Sequence, residues 1–131
     1  MPSQLANIDI IRHTYEGPQY LLAALTESTE WTEAAGYPYG GTYHGVASIK
    51  ENVFDRLGTE WDGFTPTVHV YHEFKDKDII IAEGTYTGVY KATGRSIHAD
   101  FVHVWELDSG KIVKFKQYVD SHIVVQAMTN E

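Results

Sequence analysis

The stretch RSIHADFVHVWELDSGKIVKFKQYVDSH, residues 95–122, decides the fold class of this chain. Its two halves, Arg95 to Glu106 and Lys111 to His122, are rich in β-branched and aromatic residues, which is typical of β-strands. The turn-forming sequence Asp108-Ser109-Gly110 lies between them. The pattern therefore predicts two antiparallel strands joined by a tight hairpin.

Two more strands are predicted directly before this hairpin. Thr67 to Phe74 has the same strand-like composition, and Asp78 to Lys91 follows it after a short turn. Gly84 and Gly88 lie inside the second of these strands, where glycine often marks a bend or a bulge. Successive strands with short connections predict an antiparallel meander.

The first third of the chain predicts helices. Ser3 is expected to cap a helix from Gln4 to about Tyr15, and Pro18 is expected to open a second helix that ends near Leu25. A third helix is predicted from Val46 to Leu57, because its apolar residues follow helical spacing, and Gly58 is expected to end it.

The segment between the second and third helices combines a short strand with a turn-rich stretch. Glu30 to Ala34 is a strand candidate, whereas Gly36 to Gly45 is expected to be irregular because glycine and proline favour turns. Helices followed by a run of strands indicate an α+β fold, with the helices packed on one face of a curved sheet. Without repeats or linkers, the whole chain, residues 1–131, is predicted to be a single domain.

Composition excludes several classes of function. The net charge of −8 disfavours binding to nucleic acid and to anionic membranes, and the absence of cysteine excludes disulfides and thiol chemistry. The first residues lack a signal-peptide pattern and no apolar run is long enough to cross a bilayer, so we expect a cytoplasmic protein. Aromatic residues make up 13% of the chain, and their large rings either fill a core or line a pocket for a flat apolar ligand.

Two polar residues are predicted to lie among apolar ones. Glu33 shares a strand face with Trp31, so it is either a general base with a tuned pKa or a carboxylate at the rim in water. Gln117 shares a face with Phe115 and Val119, and a buried amide needs hydrogen-bond partners. Gln117 therefore either ties two strands together or points into a cavity.

Asp100 and His103 lie on one predicted strand but face opposite sides unless a bulge intervenes. Asp100 is either exposed at an edge or held in an apolar pocket, where a raised pKa would let the neutral acid donate a hydrogen bond. His103 is either a hydrogen-bonded sheet histidine or a proton shuttle. His69 and His72 face opposite sides of their strand, and no histidine pair has metal-ligand spacing, so we expect no metal site.

Three segments resemble a known family: Tyr39 to Gly45 before a helix, Phe101 to Trp105, and Gly110 to Asp120. They look like the SnoaL-like and ketosteroid-isomerase-like branch of the nuclear transport factor 2-like superfamily, and the resemblance covers nearly the whole chain. It implies a cone-shaped, curved antiparallel sheet wrapped around three N-terminal helices, with a small apolar ligand in its mouth. It also implies a homodimer formed through the open sheet face.

The resemblance implies roles for individual residues. Glu33 falls where ketosteroid isomerases hold their proton-shuttling carboxylate, and Asp100 falls near their protonated oxyanion-hole acid. Ile10 stands where those enzymes have an oxyanion-hole tyrosine, for which Tyr15 and His13 are the candidate substitutes, although neither matches the position. Gln117 stands where the SnoaL-type cyclases and the limonene epoxide hydrolases have a catalytic aspartate, and an amide cannot act as a general base at neutral pH.

The favoured hypothesis is an enzyme without a cofactor that isomerises, cyclises or dehydrates a small apolar carbonyl compound. Glu33 would abstract a proton, neutral Asp100 would stabilise the enolate, and Gln117 or His103 would be a second donor. The expected substrate-binding residues are Trp31, Tyr15, Tyr43, Phe54, Trp105, Phe115 and Val119. The alternatives are a non-catalytic binding protein for a lipophilic small molecule and a dimeric scaffold.

Overall fold

The computed structural model describes residues 5–74 and 76–129. The helices are α1 (Asn7–Thr14), α2 (Pro18–Ala24), α3 (Val46–Ile49), α4 (Asp55–Glu60) and α5 (Ser121–Met128). The strands are β1 (Glu30–Glu33), β2 (Gly41–His44), β3 (Trp61–Glu73), β4 (Ile79–Tyr90), β5 (Arg95–Asp108) and β6 (Lys111–Val119). Within the described residues no helix is long and apolar enough to cross a membrane.

The strands of the described residues form one curved, unclosed sheet in the order β2-β1-β6-β5-β4-β3. The pairs β3–β4, β4–β5 and β5–β6 are antiparallel, which confirms the predicted meander. β1 pairs with β6 in parallel and with β2 in antiparallel orientation. The predicted α+β fold with a curved sheet and N-terminal helices is therefore confirmed.

Two buried apolar clusters fill the space between the helices and the sheet. In β5 every second residue from Ile97 to Leu107 is buried, as expected for a strand with one face on the core. The helix-side cluster comprises Ile11, Ala24, Leu25, Trp31, Ile49, Val53, Ile80, Trp105, Leu107, Ile112 and Phe115. The C-terminal cluster comprises Tyr37, Tyr39, Trp61, Tyr86, Ile97, Ala99, Phe101, Val124 and Ala127.

The glycine-rich segment is more regular than predicted. The prediction of an irregular Gly36–Gly45 stretch is wrong for its second half, because Gly41 to His44 forms β2 and pairs with β1. The turn before it is closed by hydrogen bonds from the Tyr37 N–H to the Ala34 carbonyl and from the Gly40 N–H to the Tyr37 carbonyl. The turn residues reverse the chain so that the edge strand can pair.

The chain after β6 was also predicted wrongly. The last strand ends at Val119 rather than His122, and α5 follows it. The Asp120 side chain accepts a hydrogen bond from the Ile123 N–H at 3.4 Å, which is the usual N-cap interaction. α5 buries Val124 and Ala127 in the C-terminal cluster, and this tertiary packing overrides the strand propensity of its β-branched residues.

The third predicted helix is continuous but not uniform. A π-helical turn, Lys50–Phe54, joins α3 to α4, and the helix passes Gly58 and ends at Glu60. β3 then begins at Trp61 instead of Thr67. α1 begins at Asn7 with Ala6 at its N-cap position. The predicted cap, Ser3, and the predicted first helical residue, Gln4, lie outside the described residues.

The sheet bends where β3 and β4 pair. The register shifts between Val68 and Val70, opposite Gly84. A Cβ atom at Gly84 would lie 2.1 Å from the Thr67 carbonyl oxygen and 2.7 Å from Cζ of Phe101. Only glycine allows this close approach, so Gly84 fixes the curvature that leaves the concave face open.

We expect Gly84→Ala to lower the free energy of unfolding by about 1–3 kcal/mol, because the added methyl group meets a backbone carbonyl that cannot move aside. The matched control is Gly58→Ala in α4, where a Cβ atom would meet nothing within 4 Å. That change should raise stability by roughly 0.5–1 kcal/mol through helix propensity. Urea unfolding of both variants measures the difference, and equal stabilities would contradict the close-approach argument.

Candidate active site

A cavity of about 440 Å³ opens between the helices and the concave face of the sheet. Its wall is mostly aromatic and aliphatic, with a few polar groups converging on one region, which is typical of a small-molecule site. The lining residues are Thr14, Tyr15, Pro18, Leu21, Trp31, Glu33, Val53, Phe54, Leu57, Gly58, Trp61, Gly63, Phe64, Pro66, Tyr86, His103, Trp105, Phe115 and Gln117.

Glu33 brings a carboxyl group into this wall at the end of β1. The Trp31 indole N–H donates to Oε1 at 3.1 Å, whereas Oε2 is buried without a hydrogen-bond partner. Burial raises the pKa of Glu33 from 4.5 to about 7, and the hydrogen bond from Trp31 opposes this rise only in part. Glu33 can therefore both accept and release a proton near neutral pH.

His103 lies in the middle of β5 and contacts a tyrosine hydroxyl with each ring nitrogen. Nδ1 lies 2.6 Å from the hydroxyl oxygen of Tyr15, at the C-terminal end of α1, and Nε2 lies 2.5 Å from that of Tyr86 on β4. The ring also stacks on Phe101, with centroids 4.0 Å apart. Burial lowers the pKa of His103 to about 3, so the imidazole is neutral at physiological pH.

Each tyrosine hydroxyl accepts one further hydrogen bond. The Trp105 indole N–H donates to Tyr15 at 2.9 Å, and the Gln117 amide nitrogen donates to Tyr86 at 2.7 Å. The Gln117 amide oxygen accepts from the backbone N–H of Ala34 at 3.3 Å. Gln117 therefore connects β6 to the end of β1 and also lines the cavity. Its roles as a link between strands and as a residue of the cavity wall are compatible.

Most of the predicted site residues meet in this cavity. Among the predicted catalytic residues, Glu33, His103 and Gln117 line it. Among the predicted substrate-binding residues, Trp31, Tyr15, Phe54, Trp105 and Phe115 line it as well.

Asp100 does not lie in the cavity. It is exposed on the outer face of the sheet, where its Oδ1 accepts from the Thr85 hydroxyl at 3.4 Å. β5 has no bulge between Asp100 and His103, so side-chain alternation sends the two residues to opposite faces. The placement of Asp100 as an oxyanion-hole acid in the cavity is therefore corrected.

Two predicted substrate-binding residues also lie elsewhere. The Tyr43 hydroxyl donates to the Tyr39 carbonyl at 2.9 Å, and its ring packs on the helix-side cluster. Val119 ends β6 and packs against the C-terminal cluster. Neither residue lines the cavity, because β2 is the outer strand beside β1 and the chain turns into α5 directly after Val119.

Tyr86, Trp61 and Phe64 also line the cavity, although the sequence does not predict them as site residues. Tyr86 lies between Gly84 and Gly88 on one face of β4, and a large ring between two glycines at this spacing is a signal that could have identified it. The positions of the other two depend on where β3 begins, which was predicted too late in the chain.

The described residues contain no group of three or more histidine, aspartate or glutamate side chains that could hold a metal ion. His72 hydrogen-bonds to Glu83, and His69 lies 3.0 Å from the Thr85 hydroxyl oxygen. These histidines therefore have side-chain partners outside the cavity.

A family model described as a SnoaL-like domain matches residues 14–115. No curated protein matches the chain. The matched segment includes both Tyr15 and Phe115 and so spans the lining of the cavity from α1 to β6.

Solved structures match over almost the whole chain. An NTF2-like protein from Burkholderia thailandensis is 39% identical, with a TM-score of 0.88 over 95% of this chain and 98% of that chain. An NTF2-like protein of unknown function from Burkholderia pseudomallei is 26% identical, with a TM-score of 0.84 over 95% and 98%. TerC, co-crystallised with polyporic acid, is 25% identical, with a TM-score of 0.81 over 95% and 98%.

The raised pKa of Glu33 predicts a specific pH dependence of stability. Because the folded state holds the proton up to about pH 7 and the unfolded state releases it near 4.5, the contribution of Glu33 to stability is lost as pH rises through this window. The ionised carboxylate should cost about 3 kcal/mol at the upper end. The free energy of unfolding of Glu33→Gln, minus that of the wild type, should therefore increase between these pH values.

Urea unfolding across this pH range measures the difference. The effect of His103 is shared by both proteins and cancels in the subtraction. Glu30→Gln is the matched control, because Glu30 lies on the same strand with a carboxylate that reaches solvent beside His44. A Glu33→Gln curve parallel to the wild type would refute the assignment of a raised pKa to Glu33.

Proposed function

Because the chain belongs to the SnoaL-like domain family, which includes isomerases and cyclases, we propose that it is a cofactor-independent acid–base enzyme acting on a small apolar carbonyl compound. The observation that carries this proposal is the buried Glu33 carboxyl group, which lines an apolar cavity and whose Oε2 has no hydrogen-bond partner. A carboxylate with a pKa of about 7 is suited to take a proton from carbon and return it.

In the proposed reaction, Glu33 removes a proton from the carbon next to the carbonyl group. The electron pair of the broken C–H bond forms the carbon–carbon double bond of an enolate, and the negative charge moves to the carbonyl oxygen. In a conjugated substrate, returning the proton to the γ-carbon of the dienolate completes an isomerisation. In a substrate with a second carbonyl group, the enolate carbon attacks that carbonyl carbon, its C–O π pair moves to oxygen, and Glu33 returns the proton to the new alkoxide, which completes a cyclisation. Either course regenerates the Glu33 carboxylate, so no external reactant is consumed.

The polar groups around His103 are the proposed site for the carbonyl oxygen. With Asp100 on the outer face, the hydroxyls of Tyr15 and Tyr86 take the role that the resemblance gave to Asp100. A hydrogen-bond donor aimed at the developing oxyanion contributes roughly 3 kcal/mol to transition-state stabilisation. The apolar surroundings strengthen this interaction by excluding water.

The aromatic wall supports a flat, largely apolar substrate. Trp31 stacks on Phe115, with ring centroids 3.7 Å apart, and Trp105 meets both rings at an angle. The co-crystal of TerC with polyporic acid further supports a small organic ligand for this chain. The same features favour a second candidate function, a non-catalytic binding protein, in which Glu33 would only orient the ligand.

Proton exchange on a simple ketone tests the enzyme proposal. We expect the wild type to catalyse exchange of the α-protons of β-tetralone in deuterated water, and Glu33→Gln to lower the rate at least about 100-fold, because the amide cannot accept a proton. The affinity for β-tetralone should change by less than about threefold. Nuclear magnetic resonance measures both quantities, and Glu30→Gln is the matched control that should retain the activity.

Two outcomes decide between the candidates. Equal exchange rates for the wild type and Glu33→Gln would rule out Glu33 as the base. Tight binding of β-tetralone by the wild type without any exchange would favour the binding protein.

We also propose that two copies of the chain associate through the outer face of the sheet. Val70 and Tyr118 are 45% and 49% exposed and line one groove on this face, and Phe74 is 43% exposed beside it. Large apolar side chains gathered on an exposed sheet face are typical of a protein interface. A second copy would bring the same groove against itself, as a two-fold symmetric dimer requires.

We expect Val70→Glu to convert a dimer into a monomer, because it buries a charge at the interface without a partner. Val125→Glu is the matched control, since Val125 is 38% exposed but lies on α5. Size-exclusion chromatography with light scattering gives the mass of each protein. A wild type with the mass of one chain, or a Val70→Glu variant with the mass of two, would contradict this interface.

A further inference from the structure

Five side chains form one continuous hydrogen-bonded chain along the cavity wall: Trp105, Tyr15, His103, Tyr86 and Gln117. Both ends of this chain donate. The Trp105 side chain can only donate, because an indole ring carries one N–H group and no hydrogen-bond acceptor. The amide oxygen of Gln117 is occupied by the Ala34 N–H, which turns its nitrogen towards Tyr86.

The protons in the middle of this chain can be counted. A neutral imidazole carries one N–H proton, and the hydroxyls of Tyr15 and Tyr86 carry one each. The two contacts between His103 and the hydroxyls each use one proton. One hydroxyl proton is therefore left over, on whichever tyrosine accepts from the imidazole N–H.

The leftover proton has no acceptor within residues 5–74 and 76–129. Among these residues, the hydroxyls of Tyr15 and Tyr86 hydrogen-bond only to His103, Trp105 and Gln117. Both tyrosines line the cavity; Tyr86 is buried and Tyr15 is partly buried. A buried donor without an acceptor is unfavourable, so the cavity is prepared for an acceptor atom that arrives with the ligand.

We propose that His103 is a positioning residue whose neutral imidazole, shared by Tyr15 and Tyr86, always leaves one hydroxyl proton to be donated to an acceptor oxygen of the ligand. Either tyrosine can supply the proton, and the tautomer of His103 decides which one does. This inference rests on the proposed function, because it gives the carbonyl oxygen its donor. It also narrows the ligand class to compounds with an acceptor oxygen and excludes hydrocarbons as preferred ligands.

Binding of a ketone and its parent hydrocarbon tests the donor. The affinity ratio of β-tetralone to tetralin should stay within about twofold of the wild type in Tyr15→Phe and in Tyr86→Phe, because the remaining hydroxyl supplies the proton. In the double variant the ratio should fall about tenfold. A single variant that loses as much as the double variant, or a double variant that loses nothing, would overturn the shared-proton proposal.

The tautomer of His103 provides a readout that a merely structural role would not change. In protein labelled with nitrogen-15 histidine and saturated with β-tetralone, Tyr15→Phe should carry the proton on Nε2, and Tyr86→Phe should carry it on Nδ1. This measurement needs only the single variants, so it stands even where the double variant does not fold. The same protonated nitrogen in both variants, or a doubly protonated ring between about pH 5 and pH 8, would overturn the proposal.

Failure of this inference is separable from failure of the proposed function. The affinity ratio is an equilibrium quantity that does not depend on catalysis, whereas proton exchange on β-tetralone reports the base Glu33. A wild type without exchange, but with the expected ratios and opposite tautomers, would refute the enzyme and retain the donor. Proton exchange that depends on Glu33, together with a β-tetralone-to-tetralin affinity ratio that is unchanged in the double variant, would retain the enzyme and refute the donor.

Discussion

The hydrogen bonds on both sides of His103 are the constraint on which the architecture of the site depends. Through them, the end of α1, the middle of β4 and the middle of β5 are held together, and Gln117 extends the connection to β6 and the end of β1. These contacts cross from the helical layer to the sheet and join five of the side chains that line the cavity. Such a network is stable only when nearly all of its members are satisfied, so it fixes the relative position of these elements.

Burial acts on Glu33 and His103 in opposite directions. It disfavours the charged form of each group, so it raises the pKa of the acid to about 7 and lowers that of the base to about 3. Glu33 loses its contribution to stability as pH rises from 4.5 towards 7, and His103 loses its contribution as pH falls from 6.5 towards 3. In the overlap of these two windows the slopes oppose each other. One dry cavity can therefore hold both residues, and their combined contribution to the free energy of unfolding depends only weakly on pH between 4.5 and 6.5.

The parts of the site that depend on local alternation could be predicted from the sequence. Trp31 and Glu33 lie two residues apart on one strand, as do Phe115 and Gln117, and both pairs face the cavity as expected. The other helices and strands could likewise be predicted from composition and spacing, except for β2 and α5. β2 forms because it pairs with β1, and α5 forms because it packs in the C-terminal cluster. The contact of Tyr15 with His103 joins residues 88 positions apart, and no local pattern encodes such a pairing.

Asp100 illustrates how a resemblance and an alternation argument can conflict. Alternation allows only one of Asp100 and His103 to face the cavity, whereas the resemblance placed the carboxylic acid there. The strand pairs on both sides without a bulge between these residues, so they face opposite sides, and His103 shares the inward face with the buried Phe101 and Trp105. The functional consequence is a change of chemistry at one place in the fold. A carboxylic acid would donate a hydrogen bond only while protonated, whereas a neutral imidazole between two hydroxyls keeps one donor available at any pH above its own titration. In the proposed function, Glu33 is therefore the base, and a tyrosine hydroxyl beside the neutral His103 takes the place of the carboxylic acid as the hydrogen-bond donor.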